Sequence, residues 1–118
     1  RAPDPATFGP ADFREPNPRF IEPNLTRNIE AVAPFKAYAS DLGTTPVALA
    51  IAWLLSRGDH VIPIPGTRTA SHLRECAEGA DLTLGETELA EIERILPVGF
   101  AHGDRYSREQ SNGVEGYC

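Results

Sequence analysis

Cysteine is scarce in this sequence of 118 residues, with only Cys76 and Cys118 present. The two lie far apart, and neither belongs to a CxxC pair. A disulfide framework or a structural zinc site needs several cysteines at short, regular spacing. The sequence therefore indicates neither of these, and no metal ligands are predicted.

Positive charge is also in short supply. Eleven lysines and arginines stand against 17 aspartates and glutamates, which gives a formal net charge of −6 and a pI of about 5.0. Proteins that bind nucleic acid, or that bind membranes through polybasic segments, normally present a basic surface. We therefore expect neither a nucleic-acid partner nor a membrane partner.

Long apolar runs are missing as well. The longest, Val47–Leu55, has nine residues, whereas a membrane-spanning helix needs about 20. No charged-then-apolar signal peptide opens the sequence. Apolar residues make up 41% and charged residues 24% of the chain, close to the average for globular proteins. These features favour a globular, cytoplasmic protein.

Proline and glycine divide the chain. Six of the eleven prolines fall within residues 1–23, and because proline fixes φ and lacks a donor, this stretch is predicted to be an extended loop. Residues 97–118 contain several glycines without apolar periodicity, which predicts an irregular tail. The remaining residues, 24–96, are few for an independent core.

The first two helices of the central region are indicated by their end signals and apolar spacing. The first begins at Asn24, and Pro34 predicts a kink or a break near Ala33. The second begins at Pro46, in the favoured first position of a helix, and stops at Gly58. Because its central run is apolar on every side, it should be covered on every side.

A short strand and two further helices follow. The apolar run Val61–Ile64 predicts a buried parallel strand, although Pro63 cannot donate to a ladder. The third helix is expected from about Thr69 to Ala80. The fourth is capped at Gly85 and closed by Pro97. One strand cannot form a sheet, so the helix–strand–helix order favours the closing units of a larger (β/α) barrel.

The turn after the predicted strand contains the residues best suited to bind an anion. Gly66 permits close backbone approach, and the following helix start presents unpaired N–H groups. Arg68 is a planar, always-charged partner for phosphate. His72 and Arg74 add further donors nearby. These residue types fit an anion site and a solvated turn with surface arginines about equally well.

At these residues the sequence resembles the C-terminal part of the aldo-keto reductase family. The resemblance covers nearly the whole chain in order. The segments that carry it are Asp12–Arg14, Pro18–Phe20, Asn24–Leu25, Ala48–Leu55, Val61–Arg68, Leu84–Leu96 and Gly103–Tyr106.

The resemblance implies an α/β fold, namely the C-terminal portion of a single (β/α)₈ barrel domain, mostly helical here with one clear parallel strand. Residues 1–23 would be a loop, residues 24–96 the helices and last barrel strand, and residues 97–118 the tail. A whole barrel typically has about 250 residues, so an upstream half would be needed. The resemblance also implies an oxidoreductase that uses NADP(H), without metal or flavin, to reduce small-molecule aldehydes and ketones to alcohols.

By the same resemblance, residues of one short stretch bind the cofactor. Arg68 would be the main charge partner of the adenosine 2′-phosphate, and His72 would reach the same group. Glu75 would accept a hydrogen bond from the adenine amino group. Cys76 stands where the family usually has asparagine, and a thiol hydrogen-bonds only weakly. The complete predicted set is Pro65, Gly66, Thr67, Arg68, His72, Glu75 and Cys76.

No catalytic residue is predicted in this chain. The family's hydride transfer uses a tyrosine acid with a lysine, an aspartate and a histidine from the first half of the barrel. Lys36, the only lysine, lies two positions from Tyr38, on a different helix face. The segment alone is therefore expected to be inactive. Two alternatives stay open: a non-catalytic, reductase-like nucleotide-binding or regulatory subunit, and a different phosphate-handling barrel.

Overall fold

The computed structural model describes residues 3–112, so the last six residues of the predicted tail, including Cys118, lie outside the description. The chain divides into two compact units. The described residues up to Val32 form the first unit with those from Gly99 onwards, and Ala33–Val98 form the second. Two short 3-10 helices, Pro5–Thr7 and Pro18–Phe20, precede four α-helices. These are α1 (Asn24–Asp41), α2 (Pro46–Leu55), α3 (Ala70–Asp81) and α4 (Glu86–Ile95).

The prediction of a strand at Val61–Ile64 is wrong, and with it the expected α/β character of this chain. Between residues 3 and 112 no strand is present. Ile62 and Ile64 are 82% and 92% exposed rather than buried. A strand exists only when a second strand supplies its hydrogen-bond partners, and Pro63 has no donor to offer one. The described part of the chain is helical.

The predicted starts of α2 and α4 are confirmed, and a capping hydrogen bond is present at each of them. The Thr45 hydroxyl accepts a hydrogen bond from Ala48 N at 3.1 Å, and Pro46 occupies the first helical position. In α4, the Glu88 carboxylate accepts a bond from Gly85 N at 2.9 Å. Both contacts satisfy backbone donors that a helix start otherwise leaves unpaired.

Helix α1 does not break at its proline. It runs without interruption through Pro34, although proline removes one backbone hydrogen bond from the ladder. Phe35 and Ala39, which follow the proline, are both buried. Their packing stabilises the second half of the helix, which ends before Gly43, a glycine with φ of +69°.

The core of the second unit is a cluster of buried apolar side chains from α1, α2 and α4. Its buried members are Phe35, Ala39, Leu49 and Ile92. Burial of each large side chain contributes roughly 1.5–3 kcal/mol. Partly buried residues pack around the cluster: Tyr38, Trp53, Leu82, Leu84, Ile95 and Leu96.

Helix α2 is covered on one side only. Ala48, Leu49 and Ala52 are buried, whereas Val47 and Leu54 remain 40% and 37% exposed. The expectation that this apolar helix is covered on every side is therefore not met within the described residues. No helix in that part of the chain is long and apolar enough to span a bilayer.

Helix α3 packs closely against α2 at a buried glycine. A Cβ atom added to Gly79 would lie 2.6 Å from the Ala48 carbonyl oxygen and 2.7 Å from the Ile51 Cβ. No side chain fits at these distances. The absence of a side chain at Gly79 therefore sets how near the two helix backbones approach.

We predict that Gly79→Ala destabilises the protein, by about 1–3 kcal/mol, because overpacking forces the helices apart. Helix propensity alone predicts the opposite effect, because alanine is a better helix former than glycine by about 1 kcal/mol. A loss of stability would therefore come from the packing. Urea denaturation checks the free energy of unfolding. Glu78→Ala, at the exposed neighbouring position of α3, should leave stability nearly unchanged. A Gly79→Ala protein as stable as the parent would contradict the close packing.

Arg57 connects the end of α2 with α4. Its guanidinium carbon lies 4.4 Å from the centre of the Trp53 ring, and its Nη2 lies 2.9 Å from a carboxylate oxygen of Glu93. A cation over an indole ring and a partly exposed ion pair each contribute modestly to stability. Together they stabilise the contact between sequentially distant parts of the second unit.

We predict that Arg57→Ala lowers the free energy of unfolding by roughly 1 kcal/mol, because both contacts are lost at once. Thermal unfolding measures the effect. Arg94→Ala is the matched control, since it removes the same charge but only an ion pair with Glu91 inside α4. If both variants unfold alike, the contacts of Arg57 across the two helices have no special role.

Candidate cofactor site

The predicted cofactor-binding residues lie in the segment leading into α3 and in its first two turns. Pro65, Gly66, Thr67 and Arg68 are all exposed. A Cβ added to Gly66 would meet nothing within 4 Å, so the space beside its backbone is open. The segment therefore offers its backbone and side chains to solvent, as a surface binding site requires.

Two threonine hydroxyls fix the start of α3. Thr69 is the N-cap, with extended φ and ψ, and its Oγ1 accepts a hydrogen bond from His72 N at 3.3 Å. Thr67 Oγ1 donates to Thr69 O at 3.2 Å and accepts from Thr69 N at 3.4 Å. These bonds hold the residues on either side of Arg68 in one arrangement.

The start of α3 has the chemistry of an anion site. Backbone N–H groups in the first turn of a helix point outward with positive partial charge. Within residues 3–112, Arg68 makes no ion pair, so no carboxylate of that part of the chain competes with an anion for its guanidinium. His72 is exposed on the first turn of α3. This arrangement can bind a phosphate group.

Glu75 and Cys76 lie further along α3 and differ in their exposure. Glu75 is half-buried, and its carboxylate can accept hydrogen bonds. Cys76 is 9% exposed and, with Gly79, forms the buried face of α3. The seven predicted residues lie in one stretch of the sequence, and the structure turns Cys76 among them away from solvent.

Thr69 and Ser71 were not among the predicted site residues, and their hydroxyl oxygens lie 3.2 Å apart at the start of α3. Both are exposed beside Arg68 in the chain. A threonine immediately before a helix is a known capping signal. That signal could have placed the helix start one residue later, at Ala70.

A second concave surface lies in the second unit and contains none of the predicted residues. It is lined by Tyr38, Glu86, Thr87, Ala90, Glu91 and Arg94. Burial, together with the charges of Glu88 and Glu91, raises the pKa of Tyr38 above its ordinary value. The phenol therefore stays protonated more firmly than usual, which is the wrong direction for a tyrosine tuned to exchange protons near neutral pH.

Comparison with known proteins identifies the family. The sequence profile of the aldo/keto reductase family matches residues 4–97. An aldo-keto reductase of Schizosaccharomyces pombe, named yakc [NADP(+)], is 33% identical over 86% of this chain and 30% of its own length. The Strobilurus tenacellus aldo-keto reductase str7 is 33% identical over 88% of this chain and 31% of its own. A probable aldo-keto reductase of Glycine max is 36% identical over 76% of this chain and 26% of its own length.

The chain spans less than a third of the length of these relatives. No solved structure matches it. The family profile nevertheless covers every predicted cofactor-binding residue and all four helices. The resemblance seen in the sequence is thereby confirmed, and the chain belongs to the aldo/keto reductase family.

Proposed function

We propose that the protein carrying this chain is an NADP(H)-dependent oxidoreductase that reduces aldehydes or ketones to alcohols. In this proposal the chain supplies the part of the cofactor site that binds the adenosine 2′-phosphate and the adenine. The observation that carries it is Arg68, exposed and without an ion pair among residues 3–112, directly before the start of α3. Membership of the family and the NADP(+) in the name of the S. pombe relative support the choice of cofactor.

The 2′-phosphate is the only group that distinguishes NADP(H) from NAD(H). A guanidinium binds such a group through two parallel, charge-assisted hydrogen bonds. The N-terminus of α3 adds its partial positive charge to the same region. Arg68 is therefore the residue of this chain that we expect to set the preference between the two cofactors.

The other residues have smaller roles in the proposal. Pro65, Gly66 and Thr67 shape the turn on which the phosphate rests, and His72 adds a donor on the first turn of α3. Glu75 accepts from the adenine amino group. Cys76 contributes least, because its thiol is buried and bonds only weakly.

The carbonyl chemistry is proposed to use residues outside this chain. Its only lysine, Lys36, lies two positions from Tyr38 and on a different helix face, and the chain on its own is proposed to be inactive. Its role in the whole protein is then to orient the cofactor, not to transfer protons. A cytoplasmic location remains a prediction from composition.

We predict that Arg68→Ala in the intact protein weakens NADPH binding by roughly 10- to 100-fold, because a charged hydrogen-bond partner is worth about 1.5–3 kcal/mol. NADH binding should change by less than about twofold, since NADH has no 2′-phosphate for the guanidinium to hold. Fluorescence titration of the two reduced cofactors measures both dissociation constants.

Two further variants make this test specific. Arg27→Ala removes the same charge at an exposed position of α1 and should leave both cofactors unaffected. Cys76→Ala should change NADPH affinity far less than Arg68→Ala does. Equal losses for NADPH and NADH in Arg68→Ala would refute the 2′-phosphate role. NADPH binding without turnover of any aldehyde or ketone would favour the non-catalytic subunit instead.

A further inference from the structure

The C-terminal described residues are held in place without apolar burial. Residues 99–112, called the strap below, contain no helix of more than a turn and no buried residue. A segment of this kind is normally among the first to detach from a protein, because few apolar contacts oppose its release. Yet the strap makes a specific set of polar contacts with residues 13–28 of the same unit.

Asn28 makes the most complete of these contacts. Its Oδ1 accepts a hydrogen bond from His102 N at 2.7 Å, and its Nδ2 donates to His102 O at 2.9 Å. One side-chain amide thus pairs with both backbone groups of a single strap residue. The same Nδ2 also lies 3.2 Å from Arg19 O, which joins the pair to the preceding loop.

Asn17 forms a second contact, and it is buried. The residue is only 7% exposed, with Nδ2 donating to Arg105 O at 2.8 Å and Oδ1 accepting from Arg19 N at 3.0 Å. A buried amide left without partners is costly. The position of the strap at Arg105 therefore supplies a partner that Asn17 needs.

Two longer side chains complete the arrangement. Arg19 Nε donates to Gly103 O at 3.3 Å, and Gln110 Nε2 donates to Phe13 O at 2.8 Å. Each joins residues more than 80 positions apart in the sequence. Contacts therefore occur along most of the strap.

The strap lies close against its neighbours at Gly103. Its φ is +85°, and an added Cβ would lie 2.7 Å from Asn24 Nδ2 and 2.9 Å from Pro18 O. Gly99 has nearly the same φ, +83°, but its added Cβ would meet nothing within 4 Å. The two glycines share a backbone conformation and differ in whether a neighbour touches them.

We propose that the strap has two states. In the closed state the hydrogen bonds described above hold it against residues 13–28, and in the open state the strap alone detaches from them. The hydrogen bonds of Asn17, Asn28 and Gln110 hold it closed. Because most of these bonds lie near solvent, water can replace them one by one, whereas the apolar core of the second unit offers no such route. Opening releases Arg105 and Tyr106 from a fixed position while α2, α3 and α4 stay folded.

Hydrogen–deuterium exchange of the intact protein tests this proposal through the His102 amide and the amides of α2 and α4. In the parent protein the strap amides should exchange through an opening that leaves the helix amides protected. Gly103→Ala should accelerate strap exchange by roughly tenfold or more over Gly99→Ala, since both variants carry the same backbone strain but only the first pushes the strap from its neighbours.

Asn28→Ala provides an independent variant, because it keeps the strap sequence and removes both bonds to His102. It should accelerate exchange at His102 by roughly tenfold, as expected for two lost hydrogen bonds, without affecting α2 or α4. Arg27→Ala, on the next residue of α1, is its control. The proposal is overturned if strap amides exchange only together with the helix amides. It is equally overturned if Gly103→Ala and Gly99→Ala accelerate the strap alike.

Discussion

The close approach of α3 to α2 at Gly79 is the contact on which the candidate site depends. Arg68 lies just before α3 and His72 lies in its first turn, and a binding site keeps its geometry only if the element beneath it is fixed. Thr69 caps that helix locally, but a cap does not anchor a helix to the rest of a protein. The anchor is the packing of the buried face of α3, Cys76 and Gly79, where the helix lies against the backbone of α2. The position of Arg68 at the surface therefore depends on the buried packing of α3 against α2.

The same contact explains why Cys76 and Arg68 differ, although the sequence analysis assigned both to the cofactor. Residues three apart on a helix share a face, and Cys76 is three residues before Gly79. The face that packs on α2 therefore includes Cys76. Arg68 precedes the helix, so the spacing of residues along the helix does not determine which way it faces.

The sequence could predict features that depend on residues close together in the chain, but not features that depend on residues far apart in it. The helix starts at Pro46 and Glu86 depend on caps within three residues, so they could be read directly. The strand at Val61–Ile64 needed a partner strand that the described chain does not supply, and the sequence already showed that difficulty in the lack of a second strand and in Pro63. The asparagines that hold the strap were equally invisible, because Asn28 and His102 are 74 residues apart. The candidate cofactor-binding residues were proposed together because they lie within one short stretch of the sequence, but their burial could not be predicted.

The acidic composition does not conflict with an anion site on this chain. The net charge of −6 repels an anionic cofactor at long range, but at physiological ionic strength charges are screened beyond about 8 Å. Within that distance of the start of α3, the outcome depends on the groups at the site. Arg68 carries no carboxylate partner in residues 3–112, whereas Arg57 and Arg94 are each paired with glutamate. In the proposed site, Arg68 and the start of α3 therefore matter more for binding an anion than the charge balance of the whole chain.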